Sequence, residues 1–302
     1  MSAVTGRIQA LTENIVNINP LQRNFISESV TDIRDEEMRD LDAYIGYTES
    51  LGIESLYLAG CYDLIVKDTL REQMYFQRHG RYRHSTFDEV ASSVYFDSEY
   101  MRKYMHGLAI TAYLWPNHRA LHRFFIDSVP ADKQGRYLEV GPGHGVFMMC
   151  AMRRSAFESF EGIDISPTSV EMTRALLGSG FFGKFDNYEI VEQDFFASDM
   201  AAGAYSAVVM GEVLEHVEDP GQFLQQIGTV STDDAFIFIT TPINAPAIDH
   251  IYLFDSVESI EALVVQAGLR VCDSLLVPYP GLTVEESMGQ TLPVNVAMVL
   301  GK

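Results

Sequence analysis

Cysteine is scarce in this 302-residue chain: Cys61, Cys150 and Cys272 are the three present, far apart and without a CxxC pair. That excludes a disulfide framework and a thiolate zinc site, and the three read as small buried hydrophobes. Long apolar runs are missing too. No stretch approaches the roughly 20 apolar residues that cross a bilayer, and Met1–Pro20 has no cationic start ahead of an apolar core. The expectation is therefore a cytoplasmic protein with no membrane partner. Positive charge is also short, with 21 Lys and Arg against 42 Asp and Glu and a formal net charge of −21. The imbalance is steepest beyond Pro130, where 8 basic residues meet 24 acidic ones, against 13 and 18 before it. Phosphate backbones need a basic face, so nucleic acid is not expected as a partner and a small metabolite is the better substrate. A homodimer is compatible with the sequence.

What is present is apolar content, 47% of residues, enough for a substantial core. From Gly135 onward, short apolar runs alternate with helical patterns, as in a doubly wound α/β sheet. Seven strands are expected over Arg136–Val140, Ser159–Ile163, Tyr188–Val191, Ser206–Met210, Ala235–Thr240, Leu269–Leu276 and Val294–Leu300. Helices are expected over Val146–Arg154, Pro167–Leu177, Pro220–Val230 and Ser256–Ala267, the last closed by Gly268 in a left-handed cap. Residues 1–130 read as mostly helical, with helices over Glu36–Leu51 and Tyr95–Val129, the second broken near Pro116. Ten of the 15 tyrosines lie in this part. The expected division is a helical substrate or lid region over 1–130 and a cofactor-binding domain over 131–302.

The most informative run is Y-L-E-V-G-P-G-H-G-V-F from Tyr137 to Phe147, a strand entering a glycine-rich turn and then a helix. Glycines let backbone pass close beneath a ligand. Val146 stands where a dinucleotide pattern needs its third glycine, which weakens a nicotinamide reading. Asp164 ends the second strand, where a carboxylate can accept both hydroxyls of a ribose, and Asp194 ends the third beside aromatic residues. The run Y-S-A-V-V-M-G-E-V-L-E-H-V-E-D-P from Tyr205 to Pro220 supplies a fourth strand and a helix start.

The order E-x-G-x-G-x-G, G-x-D-x-S, Q-D and L-E-H-V-x-D-P resembles class I S-adenosylmethionine-dependent methyltransferases, especially the branch of ubiquinone-biosynthesis enzymes. The resemblance covers about Gly135 to Lys302. It implies a Rossmann-like fold, with Glu139, Gly141, Gly143 and Gly145 framing the methionine moiety, Asp164 and Ile165 at the ribose, Asp194 and Phe195 at the adenine, and Met210 and Gly211 near the sulfonium. Methyl transfer from a sulfonium is an in-line displacement, and an acceptor hydroxyl must lose its proton on the way. Glu212, His216 and His250 are the candidate catalytic groups. Tyr113, Trp115 and His118 are the expected substrate wall, mixing apolar bodies with polar tips. The basic run from Arg78 to His84 is read as a solvated loop, with an anion or acidic carrier as its other reading. Glu212, Glu215, His216 and His250 also resemble the set with which plant small-RNA 2′-O-methyltransferases hold a divalent ion. Those four would be the ligands here, although a metal-free enzyme is the leading expectation. An RNA or protein methyltransferase and a non-catalytic cofactor-binding module are the alternative functions.

Overall fold

The computed structural model describes residues 4–197 and 200–302. Seven strands form one sheet: β1 Arg136–Val140, β2 Ser159–Asp164, β3 Tyr188–Glu192, β4 Tyr205–Gly211, β5 Ser231–Ile243, β6 Arg270–Val277 and β7 Val294–Gly301. Their order is β3-β2-β1-β4-β5-β7-β6, parallel except for β7, which runs antiparallel to β5 and β6. The central strands read as apolar on both faces, as a sheet covered by helices on both sides requires. The order reverses between β1 and β4, which opens a crevice at the carboxyl ends of those strands.

Among the described residues, twelve α-helices surround the sheet. The N-terminal seven are α1 Gly6–Ile18, α2 Arg23–Thr31, α3 Asp35–Ser50, α4 Ser55–His79, α5 Phe87–Val90, α6 Ser98–Leu114 and α7 Pro116–Ser128. The others are α8 Val146–Arg154, α9 Pro167–Gly178, α10 Pro220–Val230, α11 Val257–Gln266 and α12 Val284–Gly289. A π-helical turn, Ala91–Tyr95, joins α5 to α6. In α4 the buried residues Leu58, Tyr62, Ile65, Glu72 and Phe76 recur at helical spacing, and Gly80 ends it in the left-handed region with a φ of 64°. Pro116 stops α6 and starts α7 at its first turn, where a missing N–H costs nothing.

One apolar cluster runs from Ile8, Ile15 and Tyr62 through Ile110, Tyr113 and Phe125 to Phe147 and Phe238. The helices before Ser128 thus share a core with the face of the sheet that carries β1, β4 and β5. A second cluster, around Val208, Ile237, Ile260 and Val296, fills the other face under α10 and α11.

Two expectations are corrected here. Cys61 and Cys150 are buried, but Cys272 is exposed, because β6 is the sheet's edge and its register shifts between Val271 and Asp273. Strand β5 is longer than the apolar run Ala235–Thr240 suggests. Its start pairs Ser231 with Tyr205 across a bulge, and its end carries Pro242 opposite Asn295. No helix among the described residues is long and apolar enough to cross a membrane.

Candidate active site

The carboxyl ends of β1, β2, β3 and β4 open onto one cavity of about 1170 Å³. Its wall includes Gly141 and Gly143 from the turn after β1, Asp164 and Ile165 after β2, Asp194 and Phe195 after β3, and Gly211 and Glu212 after β4. Seven of the ten expected cofactor residues therefore meet at one cavity. Gly141 has a φ of 66°, and a Cβ there would stand 2.7 Å from Val213 Cγ2, so both conformation and space call for glycine. At Gly211 the reason is space alone, since a Cβ would lie 2.6 Å from the Phe147 ring. Helix α8 begins at Val146 directly behind the turn, so its free N–H groups lie at the turn, where a carboxylate is favoured.

Asp164 accepts a 2.9 Å hydrogen bond from the Ser166 amide. Burial pushes its carboxyl up to about 6, against the downward pull of the Ser166, Gly143 and Ile165 amides. Asp194 accepts from the Phe196 amide at 2.8 Å, which fixes its turn. Phe196 and Phe223 pack edge to face with ring centroids 4.6 Å apart, next to Phe195.

Three expected cofactor residues are not on the wall. Met210 is fully buried in the core, Gly145 caps α8 behind the turn, and Glu139 is 1% exposed and accepts a 2.6 Å hydrogen bond from the Tyr137 hydroxyl. Burial pushes the Glu139 carboxyl up to about 8, although that hydrogen bond lowers it. Among the substrate candidates, Trp115 and His118 line the cavity and Tyr113 does not. Tyr113 lies on the face of α6 turned towards Asp40, Tyr44 and Cys150, where burial raises its hydroxyl well above the ordinary value.

After β4 the chain makes a nest of ionisable groups. Glu212 has a φ of 55°, unusual for a side chain with a Cβ. Such strain at the end of a central strand fits a site that places a side chain deliberately. Glu215 is fully buried, with one oxygen accepting from Thr241 Oγ1 at 2.8 Å. Its other oxygen, Oε1, and Glu212 Oε1 are buried without a hydrogen-bond partner. His216 Nε2 stands 3.7 Å and His250 Nε2 4.0 Å from Glu215 Oε1, and the two imidazoles meet edge to face at 4.8 Å. Burial, then the charge of Glu212, raises the Glu215 carboxyl well above the usual range.

The opposite nitrogens are held by carbonyls. His250 Nδ1 is 2.6 Å from the Ala245 oxygen and His216 Nδ1 is 3.0 Å from the Asp249 oxygen. Each Nδ1 therefore donates to its carbonyl, and each Nε2 is turned towards Glu215. Burial pushes the His250 imidazole down to about 3, and it stays neutral.

Several residues here lacked any sequence motif. Tyr95, on the π-helical turn, has its hydroxyl 3.0 Å from His216 Nδ1 and donates to Asp249 Oδ2 at 3.1 Å. Tyr104 donates to the other Asp249 oxygen at 3.1 Å. Tyr82, from the basic run, is buried with its ring 5.8 Å from that of His250. His122 lines the cavity beside His118, as does His144, which the glycine-rich run Tyr137–Phe147 already contains. The one available signal was the density of tyrosine and histidine in the N-terminal part. The basic run is not a solvated loop throughout: Arg78 and His79 form the last turn of α4, and Arg83 sits over the Tyr75 ring at 4.3 Å and pairs with the buried Glu72 at 2.9 Å.

Similar folds are known. A mitomycin 7-O-methyltransferase, MmcR, superposes with a TM-score of 0.55 at 15% identity, covering 82% of this chain and 70% of that one. A chain of the Haloferax volcanii Trm112 methyltransferase activator complex gives 0.53 at 14% identity, covering 68% and 97%. The geranyl diphosphate C-methyltransferase of Streptomyces coelicolor A3(2), solved with Mg²⁺, geranyl diphosphate and S-adenosyl-L-homocysteine, gives 0.50 at 15% identity, covering 75% and 92%. These likenesses establish the fold. No curated protein matches the sequence. The family model described as a methyltransferase domain matches residues 101–273, which begin in α6 and end in β6 and so take in the ends of β1–β4 that line the cavity. The match distinguishes no branch, but it spans more than half of the chain, and the chain belongs to this family of class I S-adenosylmethionine-dependent methyltransferases.

Proposed function

We propose that this enzyme transfers the methyl group of S-adenosylmethionine to a small-molecule acceptor, with oxygen as the first candidate atom and nitrogen or carbon as alternatives. The observation that carries the proposal is the continuity of the cavity. Its wall runs from the ends of β1–β4 to Phe25, Ile65, Leu70 and Trp115 of the N-terminal helices, and its size exceeds the roughly 300–1000 Å³ of an ordinary single-ligand pocket. Two of the similar structures bear the names of enzymes with small-molecule acceptors, and the charge of −21 argues against RNA.

When bound, S-adenosylmethionine supplies an electrophilic methyl on a sulfonium. We assign Asp164 to the ribose hydroxyls, the Gly141–Gly143 turn with the start of α8 to the methionine carboxylate, and Asp194 with Phe195 to the adenine. Glu139, Gly145 and Met210 would act behind the wall by holding β1, the turn and β4 in place. The acceptor oxygen forms its bond to the methyl carbon as the carbon–sulfur bond breaks, and its proton passes to His216, or to Glu212 beside it. The N-terminal wall and the aromatic groups exclude water and align the reactants, where most of the rate gain of such a displacement lies. A screen of small hydroxylated compounds scored by S-adenosylhomocysteine formation tests this. Turnover is expected with small acceptors and none with transfer RNA or a histone peptide; the reverse pattern would refute it.

One observation favours a second version. Two histidine Nε2 atoms face a buried carboxylate oxygen that has no partner. A divalent ion would satisfy them, so Glu215, His216 and His250, whose ligand atoms lie within 4.8 Å of one another, fit a metal, while Glu212, the fourth expected ligand, stands outside that group. Such an ion would supply Lewis acidity to the acceptor oxygen. A proton held on Glu215 answers the same electrostatics without metal. Elemental analysis of the purified protein and turnover after chelation, with His250→Ala beside the parent, separate the two. Undiminished turnover in metal-free protein would end the metal version.

A further inference from the structure

Among the described residues, no Lys or Arg lines the cavity. The charged groups on its wall are all acidic, among them Asp68, Asp249, Glu212 and Glu218. Asp68 is already satisfied by the Tyr100 hydroxyl at 2.6 Å and by Arg71 at 2.9 Å, and Asp249 by Tyr95 and Tyr104. Neither is free to draw a cation of its own into the site. The polar groups left on the acceptor side are uncharged amides. Gln73 Nε2 is buried without a partner, and Asn117 donates to Asn295 Oδ1 at 3.0 Å, leaving its own oxygen and the Asn295 nitrogen to a ligand.

The histidines do not replace the missing cation. Burial holds His118 down to about 3 and His144 down to about 4, and it holds His122 well below its ordinary value. An anionic acceptor would therefore be stripped of water in a mostly apolar chamber and meet no cationic side chain on its wall. The net charge of −21 repels it on approach as well.

We infer that the acceptor is an apolar molecule without negative charge, neutral or basic, whose hydroxyl, carbonyl or amine groups are read by side-chain amides, and that carboxylates and phosphates are excluded. The inference rests on this cavity being the methyl-transfer site. It separates this chain from the neighbouring fold solved with geranyl diphosphate, an anionic ligand.

Three probes with one apolar body test the charge rule: 2-naphthalenemethanol, 2-(aminomethyl)naphthalene and 2-naphthoate. Their binding to the full chain is measured by calorimetry or ligand-observed NMR at about pH 7.5, first with S-adenosylhomocysteine at saturation and then without it. The alcohol and the amine are expected to bind at least about ten-fold more tightly than naphthoate in both states. Gln73→Lys, which puts an ammonium in place of the unpartnered amide nitrogen, should raise naphthoate affinity at least about five-fold. Naphthoate binding as well as the alcohol, or no binding of any probe at millimolar concentration, would overturn the inference. If S-adenosylhomocysteine itself does not bind, the methyltransferase reading fails on its own, while the measurement without it still decides the charge rule.

Discussion

The carboxyl of Asp164 is pushed up to about 6 by burial, and a ribose can be held only by its ionised form. Affinity for the cofactor should therefore be steady above about pH 7 and fall as pH drops through 6. Asp164→Ala should weaken binding and remove this pH dependence, costing about 1–3 kcal/mol because two hydroxyls lose a charged acceptor. Titrations at several pH values check it; an unchanged affinity in the variant would place the ribose elsewhere. Glu139 makes a second residue-level case. With a folded value of about 8 against roughly 4.3 in an unfolded chain, the native state binds a proton that the unfolded state has released between those values. Stability must then fall as pH rises across that window, by up to about 1.4 kcal/mol per pH unit. Glu139→Gln should flatten the decline in melting temperature between pH 5 and 8, a slope to which the buried Glu215 adds in the same direction. An unchanged slope would show that Glu139 is ionised in the native chain. The residue scale is also where sequence reading was weakest. Trp115 and Tyr113 are two residues apart with the same aromatic character, yet one meets the cavity and the other the core, because residues two apart on a helix do not share a face.

At the scale of elements, strand and helix limits such as Arg136–Val140, Val146–Arg154 and Pro220–Val230 are legible to the residue, because apolar period, glycine turn and proline start coincide there. The segment from Arg81 to Phe96 carries no such signal. Its structure comes from tertiary contacts: Tyr82 against His250, the Phe87 amide donating to Glu218 at 2.7 Å, and the Ser166 hydroxyl donating to the Tyr95 carbonyl at 3.0 Å. This stretch straps the ribose loop to the His216 nest. Tyr95→Phe keeps the ring and removes the hydroxyl that orients His216 and Asp249. The expected result is a drop in kcat of about five-fold, near 1 kcal/mol for one neutral hydrogen bond, with little change in KM for the cofactor. An equal rise in that KM with kcat intact would make Tyr95 a cofactor-binding residue instead.

Taken as a whole molecule, the chain has its methyltransferase sheet and its N-terminal helices joined by one core, and the family match itself starts at residue 101, inside α6. A division near residue 130, natural from composition, passes close behind α7, whose Phe124 and Phe125 lie 6.0 and 5.0 Å from the Phe238 ring. A chain beginning at Gly135 bares that face of the sheet and should lose its cooperative thermal transition by circular dichroism. A cooperative transition in that fragment would show that the sheet stands without the helices. Every assignment of a residue to cofactor or acceptor depends on the cavity at the ends of β1–β4 being the cofactor site. Calorimetric titration of the full chain with S-adenosylhomocysteine at about pH 7.5, with Asp164→Ala in parallel, tests it directly. One site of micromolar affinity in the parent and at least about five-fold weaker binding in the variant are predicted; no heat at millimolar ligand, or equal affinity in the two proteins, would contradict it.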